Sequence, residues 1–315
     1  MNKKVIAVTG ATGAQGGGLV RSIVEDRSGA FTARAITRKP NSDKARELAR
    51  LGAEVIAADL DDESSLARAF SGAYGAFCVT NFWEHFSPEK ELAQAKNLAL
   101  AARQAGVKHV IWSTLEDTRE KVPLSDARMP TLMQKYKVPH FDAKGEADAI
   151  FAELVPTTFV LTAFYWENFI YFGLGPRRVG DGLYDLVLPM GDAKLPAIAV
   201  EDIGHAAHAV FKSGTAEVGK RIGISGEQLT GTELAAAMSR ALRREIRYRA
   251  VTAEAFRGFG FPGAEDIGNM FQYKHDFAAE YCAARDVAAT RKLVPGMLTF
   301  AAWLERYGAR IPLEA

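Results

Sequence analysis

Cysteine, excess charge and long apolar runs are all scarce in this chain. Of 315 residues only Cys78 and Cys282 are cysteines, far apart and in no metal-ligand spacing. That excludes a disulfide framework and a cysteine metal cluster, and it fits a reducing, cytoplasmic setting. The formal net charge is +1, so no global field recruits nucleic acid or an anionic membrane, and there is no direct nucleic-acid signal. No apolar run is long enough to span a bilayer, and no signal peptide is expected ahead of the first strand. The six histidines are scattered. His205 and His208 stand one helical turn apart without a third ligand, so they read as a surface or packing pair and no metal is expected. No His–Asp spacing suggests a hydrolase. None of the nine tyrosines has a lysine four residues later.

What is present is ordinary globular composition, 48% hydrophobic and 24% charged, with length enough for two domains or one domain and a cap. The most informative stretch is the first sixteen residues. Lys3–Thr9 reads as a buried strand, Gly10-Ala11-Thr12-Gly13-Ala14-Gln15-Gly16 follows at once, and an apolar run opens at Leu19. A strand, a turn with glycines every third residue and a helix start make the turn that receives a dinucleotide pyrophosphate. Glycines admit the backbone to the phosphates, and helix-start N–H groups point at the negative charge. The alternative is a glycine-rich turn with no ligand. The Gly-x-x-Gly-x-x-Gly spacing is the form typical of extended and atypical short-chain dehydrogenase/reductases.

Strand patterns at Lys4–Thr9, Thr32–Thr37, Glu54–Ala58, Gly75–Val79, His109–Ser113 and Thr158–Thr162 alternate with helical ones at Gly16–Glu25, Lys44–Leu51, Ser64–Phe70, Glu89–Gln104 and Asp142–Leu154. Such repeats predict an α/β fold, a doubly wound parallel Rossmann sheet with helices on both faces. Leu92, Ala95, Ala99 and Ala102 form a narrow small-residue stripe suited to close packing on that sheet. After Thr162 the texture changes. A short strand before a helix at Asp202–Lys212, a last sheet strand at Arg221–Ile224, helices at Thr230–Leu242 and Thr252–Phe259, a strand at Arg247–Val251 and a helix at Thr299–Tyr307 are expected. The predicted organisation is a Rossmann domain over 1–165 and 192–226, and a smaller α/β domain over 166–191 and 227–315. Asp117–Tyr136 is a polar stretch expected to be a loop that moves.

The second strand ends Thr37-Arg38-Lys39 with no acid. An acid there would hydrogen-bond the ribose of NAD, whereas Arg38 suits the 2′-phosphate of NADP(H) through two donors. Otherwise Arg38 and Lys39 are solvated loop charges. Asp59 is placed to accept from the adenine amino group, unless an acid there caps the helix near Ser64. Thr80 and Asn81 end the fourth strand at the crevice edge. Phe82 and Trp83 either wall a nicotinamide pocket or belong to a core. Short-chain dehydrogenases use Tyr-x-x-x-Lys on one helix face to donate a proton. Here Lys144 holds the lysine position and His140 the tyrosine position. His140 is either a proton donor or a helix-start ring that packs, and Lys144 would act as acid or base only if burial depressed its pKa. Ser113 and Thr114 end the fifth strand.

Five stretches then resemble one family: Thr12–Gly17, Val79-Thr80-Asn81-Phe82-Trp83-Glu84, His140–Glu146, Tyr165-Trp166-Glu167-Asn168 and Gly260-Phe261-Pro262-Gly263-Ala264. They are similar to the NmrA-like proteins, atypical short-chain dehydrogenase/reductases, and above all to their NADPH-sensing branch, from the first strand to about Trp303. The resemblance implies an NADP(H)-binding Rossmann domain with a smaller domain closing a cleft. It implies a redox sensor, with transcriptional regulation as its setting, that often lacks dehydrogenase activity. By residue it implies Gly10–Gly16 at the pyrophosphate, Arg38 at the 2′-phosphate and Asp59 with Leu60 at the adenine. Thr80, Asn81 and Phe82 would line the middle of the cofactor, and Lys144, Tyr165 and Asn168 the nicotinamide end. That branch also departs from the tyrosine at the His140 position. Two readings stand: a regulator acting through a protein partner, or an NADPH-dependent reductase of a quinone or small carbonyl held in the interdomain cleft. The residues fix no oligomeric state, a homodimer included.

Overall fold

Alternating short β-branched runs and amphipathic stretches give, in a computed structural model that describes residues 3–27 and 29–313, a regular β/α succession. It runs β1 (Lys4–Val8), α1 (Ala14–Glu25), β2 (Phe31–Thr37), α2 (Asp43–Arg50), β3 (Glu54–Ala57), α3 (Glu63–Phe70), β4 (Gly75–Cys78), α4 (Pro88–Gln104), β5 (His109–Thr114), α5 (Pro139–Leu154) and β6 (Thr157–Leu161). These six strands are parallel. With Arg221–Gly223 at the edge they form a seven-stranded sheet in the order edge-β6-β5-β4-β1-β2-β3. This is a Rossmann-type sheet. The order reverses between β1 and β4, so the turns leaving those strands diverge and open a crevice at the carboxyl edge. Thr9 continues the ladder past the strand ends: its Oγ1 donates to the Phe77 carbonyl at 3.1 Å and accepts from the Val79 N–H at 3.0 Å.

Helix ends follow local rules. Ser42, Asp62 and Ser87 cap α2, α3 and α4 through their side chains. The small-residue stripe on α4 is buried, with Ala95, Ala99 and Ala102 fully covered beside Leu98. Trp112 of β5 stacks on Phe151 of α5 with centroids 4.5 Å apart. On the other side of the sheet α1 meets the helix Val200–Ser213. A Cβ on Gly204 would lie 2.2 Å from the Gly18 carbonyl carbon, so the two helices touch backbone to backbone.

The chain divides into two units. The first takes the residues up to Asp117, His140–Thr162 and Val200–Ile222; the second takes Thr118–Pro139, Ala163–Ala199 and the residues from Gly223 on. This differs from the expected boundaries in placing 118–139, 163–165, 192–199 and 223–226 with the smaller unit. The segment 118–139 is irregular, as expected for a loop, yet it is tied down. Asn269 Nδ2 donates to the carbonyls of Pro130 (2.9 Å) and Lys137 (2.6 Å), and the buried Lys137 Nζ donates to those of Asp126 and Met129, both at 2.7 Å.

The second unit holds two three-stranded sheets, Glu227–Leu229, Leu195–Ile198, Phe164–Tyr165 and Glu245–Ala250, Leu183–Leu188, Arg177–Gly180. Its core is aromatic: Trp303 stacks on Phe300, and its Nε1 donates to Glu167 at 2.8 Å. The helix Ala264–Asp276 was not anticipated. Its signals are in the sequence, with Gly263 at the N-cap in a left-handed conformation, acids in the first turn and Lys274 and His275 in the last.

Candidate functional site

The expected cofactor residues of the first unit lie after the carboxyl ends of β1 to β4 and on α5. Gly10 has φ +60°, open to glycine without strain. A Cβ on Gly16 would fall 2.5 Å from the Gly10 carbonyl oxygen and 2.6 Å from that of Thr9. The third glycine is therefore required by the packing of α1 on its own turn. Gly10, Gly13 and Ala14 are exposed, and Thr12 and Gln15 half-buried. Gly13 occupies the N-cap of α1 without a side-chain hydrogen bond, unlike the capped starts of α2 to α4. Ser113, at the end of β5, donates to Gln15 Oε1 at 2.7 Å and ties the turn to the sheet.

After β2, Thr37 Oγ1 accepts from the Lys39 N–H at 3.2 Å, and the half-exposed Arg38 guanidinium pairs with Glu84 at 2.7 Å. After β3 the cap of α3 is Asp62, not Asp59. The half-buried Asp59 instead accepts from the Asp61 N–H at 3.1 Å. The Leu60 carbonyl takes Asn97 Nδ2 at 2.9 Å.

After β4 the chemistry is concentrated. Thr80 is buried and Asn81 exposed. Lys144 Nζ donates to Thr80 Oγ1 at 2.7 Å and pairs with Glu91 Oε1 at 2.9 Å, and Thr80 donates in turn to the same Glu91 oxygen at 2.6 Å. His85 Nδ1 accepts from the Ser87 N–H, which leaves its Nε2 facing Glu91 Oε2 at 3.4 Å. Burial alone would raise the Glu91 pKa. The Lys144 charge, with His85 and Thr80, outweighs it and holds the carboxyl down at about 2. Removing the positive charge from Lys144 would leave a fully buried carboxylate without its counter-ion, a costly state. Glu91 was not foreseen. It reads as one of two helix-start acids, yet it falls on the buried row of Ala95, Leu98 and Ala102.

Helix α5 begins at Pro139, one turn earlier than expected, which brings His140 into the same helix as Lys144, four residues apart. His140 is 6% exposed. Its ring centroid lies 4.8 Å from Trp83, 4.8 Å from Phe141 and 6.0 Å from Phe82. Phe82 and Trp83 thus pack with His140 inside the first unit. One turn beyond Lys144, Asp148 accepts from Thr114 at 2.6 Å and pairs with Arg221. Burial pushes its carboxyl up to about 6, against the pull of Thr114 and Arg221. Tyr165 and Asn168 belong to the second unit. Tyr165 ends a strand paired with Ile198, and Asn168 starts the helix Asn168–Tyr171. His208 is buried against Ser22 at 2.9 Å, and His205 faces Asp202 at 3.2 Å. Among the described residues no group of three or more His, Cys, Asp or Glu is placed to hold a metal ion, and no helix is long and apolar enough to cross a membrane.

The NmrA-like family model matches residues 2–304. An NmrA-like family domain-containing oxidoreductase, FrzB of Cladobotryum sp, is 33% identical over 304 residues, 89% of this chain and 86% of that one. The solved structure of NmrA, a negative transcriptional regulator, in complex with NAD is 26% identical, with TM-score 0.79 and coverage of 97% and 95%. NmrA in complex with NADP gives TM-score 0.77 at the same identity and coverage. The match spans nearly the whole chain, and the chain belongs to the NmrA-like family.

Proposed function

We propose that this protein binds NADP(H) on its first unit and acts as a cofactor-responsive regulator, with a protein partner as its output. The observation that carries the regulatory reading is the commitment of Lys144 to Glu91. The lysine is built into an ion pair beside Thr80, suited to holding a ribose hydroxyl, and no tyrosine stands one turn before it to donate a proton. Cofactor binding is supported by the exposed glycine turn, whose close contacts admit no side chain at Gly16, and by the uncapped start of α1, where backbone N–H groups suit a pyrophosphate. In this reading Gly10, Thr12, Gly13, Ala14, Gln15 and Gly16 hold the pyrophosphate, and Thr37 and Arg38 the 2′-phosphate. Asp59 and Leu60 hold the adenine, and Thr80, Asn81, Phe82 and Lys144 the middle. A charged hydrogen bond to the 2′-phosphate is worth about 1.5–3 kcal/mol, roughly one to two decades of affinity.

A reductase is the second reading. It is favoured by the position of His140, four residues before Lys144 on one helix, and by relatives named as oxidoreductases. NADPH oxidation against a panel of quinones and small carbonyls, repeated with Lys144→Ala and His140→Ala, separates the two. No turnover with any acceptor is expected. Turnover abolished in either variant refutes the pure regulator. Scattering size and protease sensitivity with NADP⁺, with NADPH and with neither should differ. Identical behaviour in all three removes the cofactor response, since a ligand shifts an equilibrium only by its differential affinity for the two states.

A further inference from the structure

The guanidinium assigned to the 2′-phosphate already has an anion against it. Arg38 leaves β2 and Glu84 follows β4, yet Arg38 Nη2 donates to Glu84 Oε2 at 2.7 Å. Asn81 Nδ2 donates to the other carboxylate oxygen at 3.3 Å, so both oxygens are engaged. Glu84 closes the short 3-10 turn Phe82–Glu84, whose Phe82 is 2% exposed and packed against His85, Phe86 and His140. The backbone beneath the carboxylate is therefore held. The pair itself is half exposed, with side chains 56% and 47% accessible, so a solute anion can reach it.

We propose that Glu84 is the resident competitor of the 2′-phosphate for Arg38, and so sets the preference between NADP(H) and NAD(H). This rests on the assignment of Arg38 above. A phosphate dianion offers a doubly charged acceptor to the guanidinium fork, but it must push aside a carboxylate of like charge to take it. A cofactor with a free 2′-hydroxyl makes no such demand and leaves the Arg38–Glu84 pair in place. Glu84 thus imposes a penalty on NADP(H) alone, and the preference for NADP(H) is narrower than Arg38 by itself would create.

The test is calorimetric titration of NADP⁺ and NAD⁺, at low and high ionic strength, into the wild-type chain, Glu84→Gln, Glu84→Asp and Arg38→Ala. Glu84→Gln keeps an acceptor for Asn81 and removes the charge. It is expected to tighten NADP⁺ by about two- to fivefold, the worth of a half-exposed ion pair, and to leave NAD⁺ unchanged. The gain should shrink at high salt. Glu84→Asp, which retracts the carboxylate by one methylene, should fall between the two and carries the test if the glutamine variant does not fold. If Arg38→Ala weakens NADP⁺ while the Glu84 variants bind it as the wild type does, or tighten both cofactors equally, the role of Glu84 is refuted and that of Arg38 stands. If Arg38→Ala binds NADP⁺ unchanged, or the wild type binds neither cofactor, the assignment of Arg38 fails and the role of Glu84 falls with it.

Discussion

Replacing Glu91 by glutamine keeps the shape of a fully buried side chain and removes its charge. The amide oxygen can still accept from Thr80, but Lys144, 8% exposed, is left in the interior without its counter-ion. Breaking a buried ion pair by deleting one partner costs about 3–5 kcal/mol. A second route gives a similar figure: a carboxyl held at about 2 instead of 4.5 corresponds to linkage on the order of 3 kcal/mol. Because the folded-state value is the depressed one, this stability is complete above pH 4.5 and is lost as pH falls toward about 2. Urea unfolding of the wild type, Glu91→Gln, Lys144→Met and the double variant measures it. At pH 7 Glu91→Gln should lose about 3–5 kcal/mol, and the double variant should recover much of that, because no charge is stranded. Between pH 5 and pH 2.5 the wild type should lose stability more steeply than Glu91→Gln. A cost below about 1 kcal/mol at pH 7, or a double variant no better than the single, would refute the ion-pair account of Lys144.

Three further outcomes are expected. Gly204→Ala drives a methyl into the backbone of Gly18 and Leu19, so the helix Val200–Ser213 must move off α1. Thermal melts should show a loss of about 1–3 kcal/mol, and an unchanged midpoint would contradict the contact. Asp148 is held above its ordinary 3.8, at about 6, so it costs the wild type stability as pH rises from about 4 through 6. Asp148→Asn should gain on the wild type over that window by up to about 3 kcal/mol, and parallel curves would contradict the burial argument. Cys78 is fully buried and its thiol is pushed up by desolvation, whereas Cys282 is partly exposed. Alkylation of the native protein followed by peptide mapping should find label on Cys282 alone, and label on Cys78 would show that β4 opens.

The parallel sheet was legible in the sequence because each of its elements is locally encoded. Six short apolar strands, the glycine turn and the helical patterns between them each announce themselves within a few residues, and repeated β/α units then force the strands to run parallel. Arg38, Thr80, Lys144 and His140 were legible for the same reason, since they sit at strand ends or one helical turn apart. The smaller unit was less so. Its helix Ala264–Asp276 and hairpin Arg177–Leu188 carry mixed polarity, and the anchoring of 118–139 depends on Asn269, more than a hundred residues downstream. What tertiary structure alone decided is which charges meet. Glu84 is one acid among many until β2 and β4 bring it against Arg38. Glu91 is one of two helix-start carboxylates until α4 and α5 bury it against Lys144. Sequence states that a charge exists. Its energy depends on burial and on the distance to its partner, and both are set only when distant segments pack.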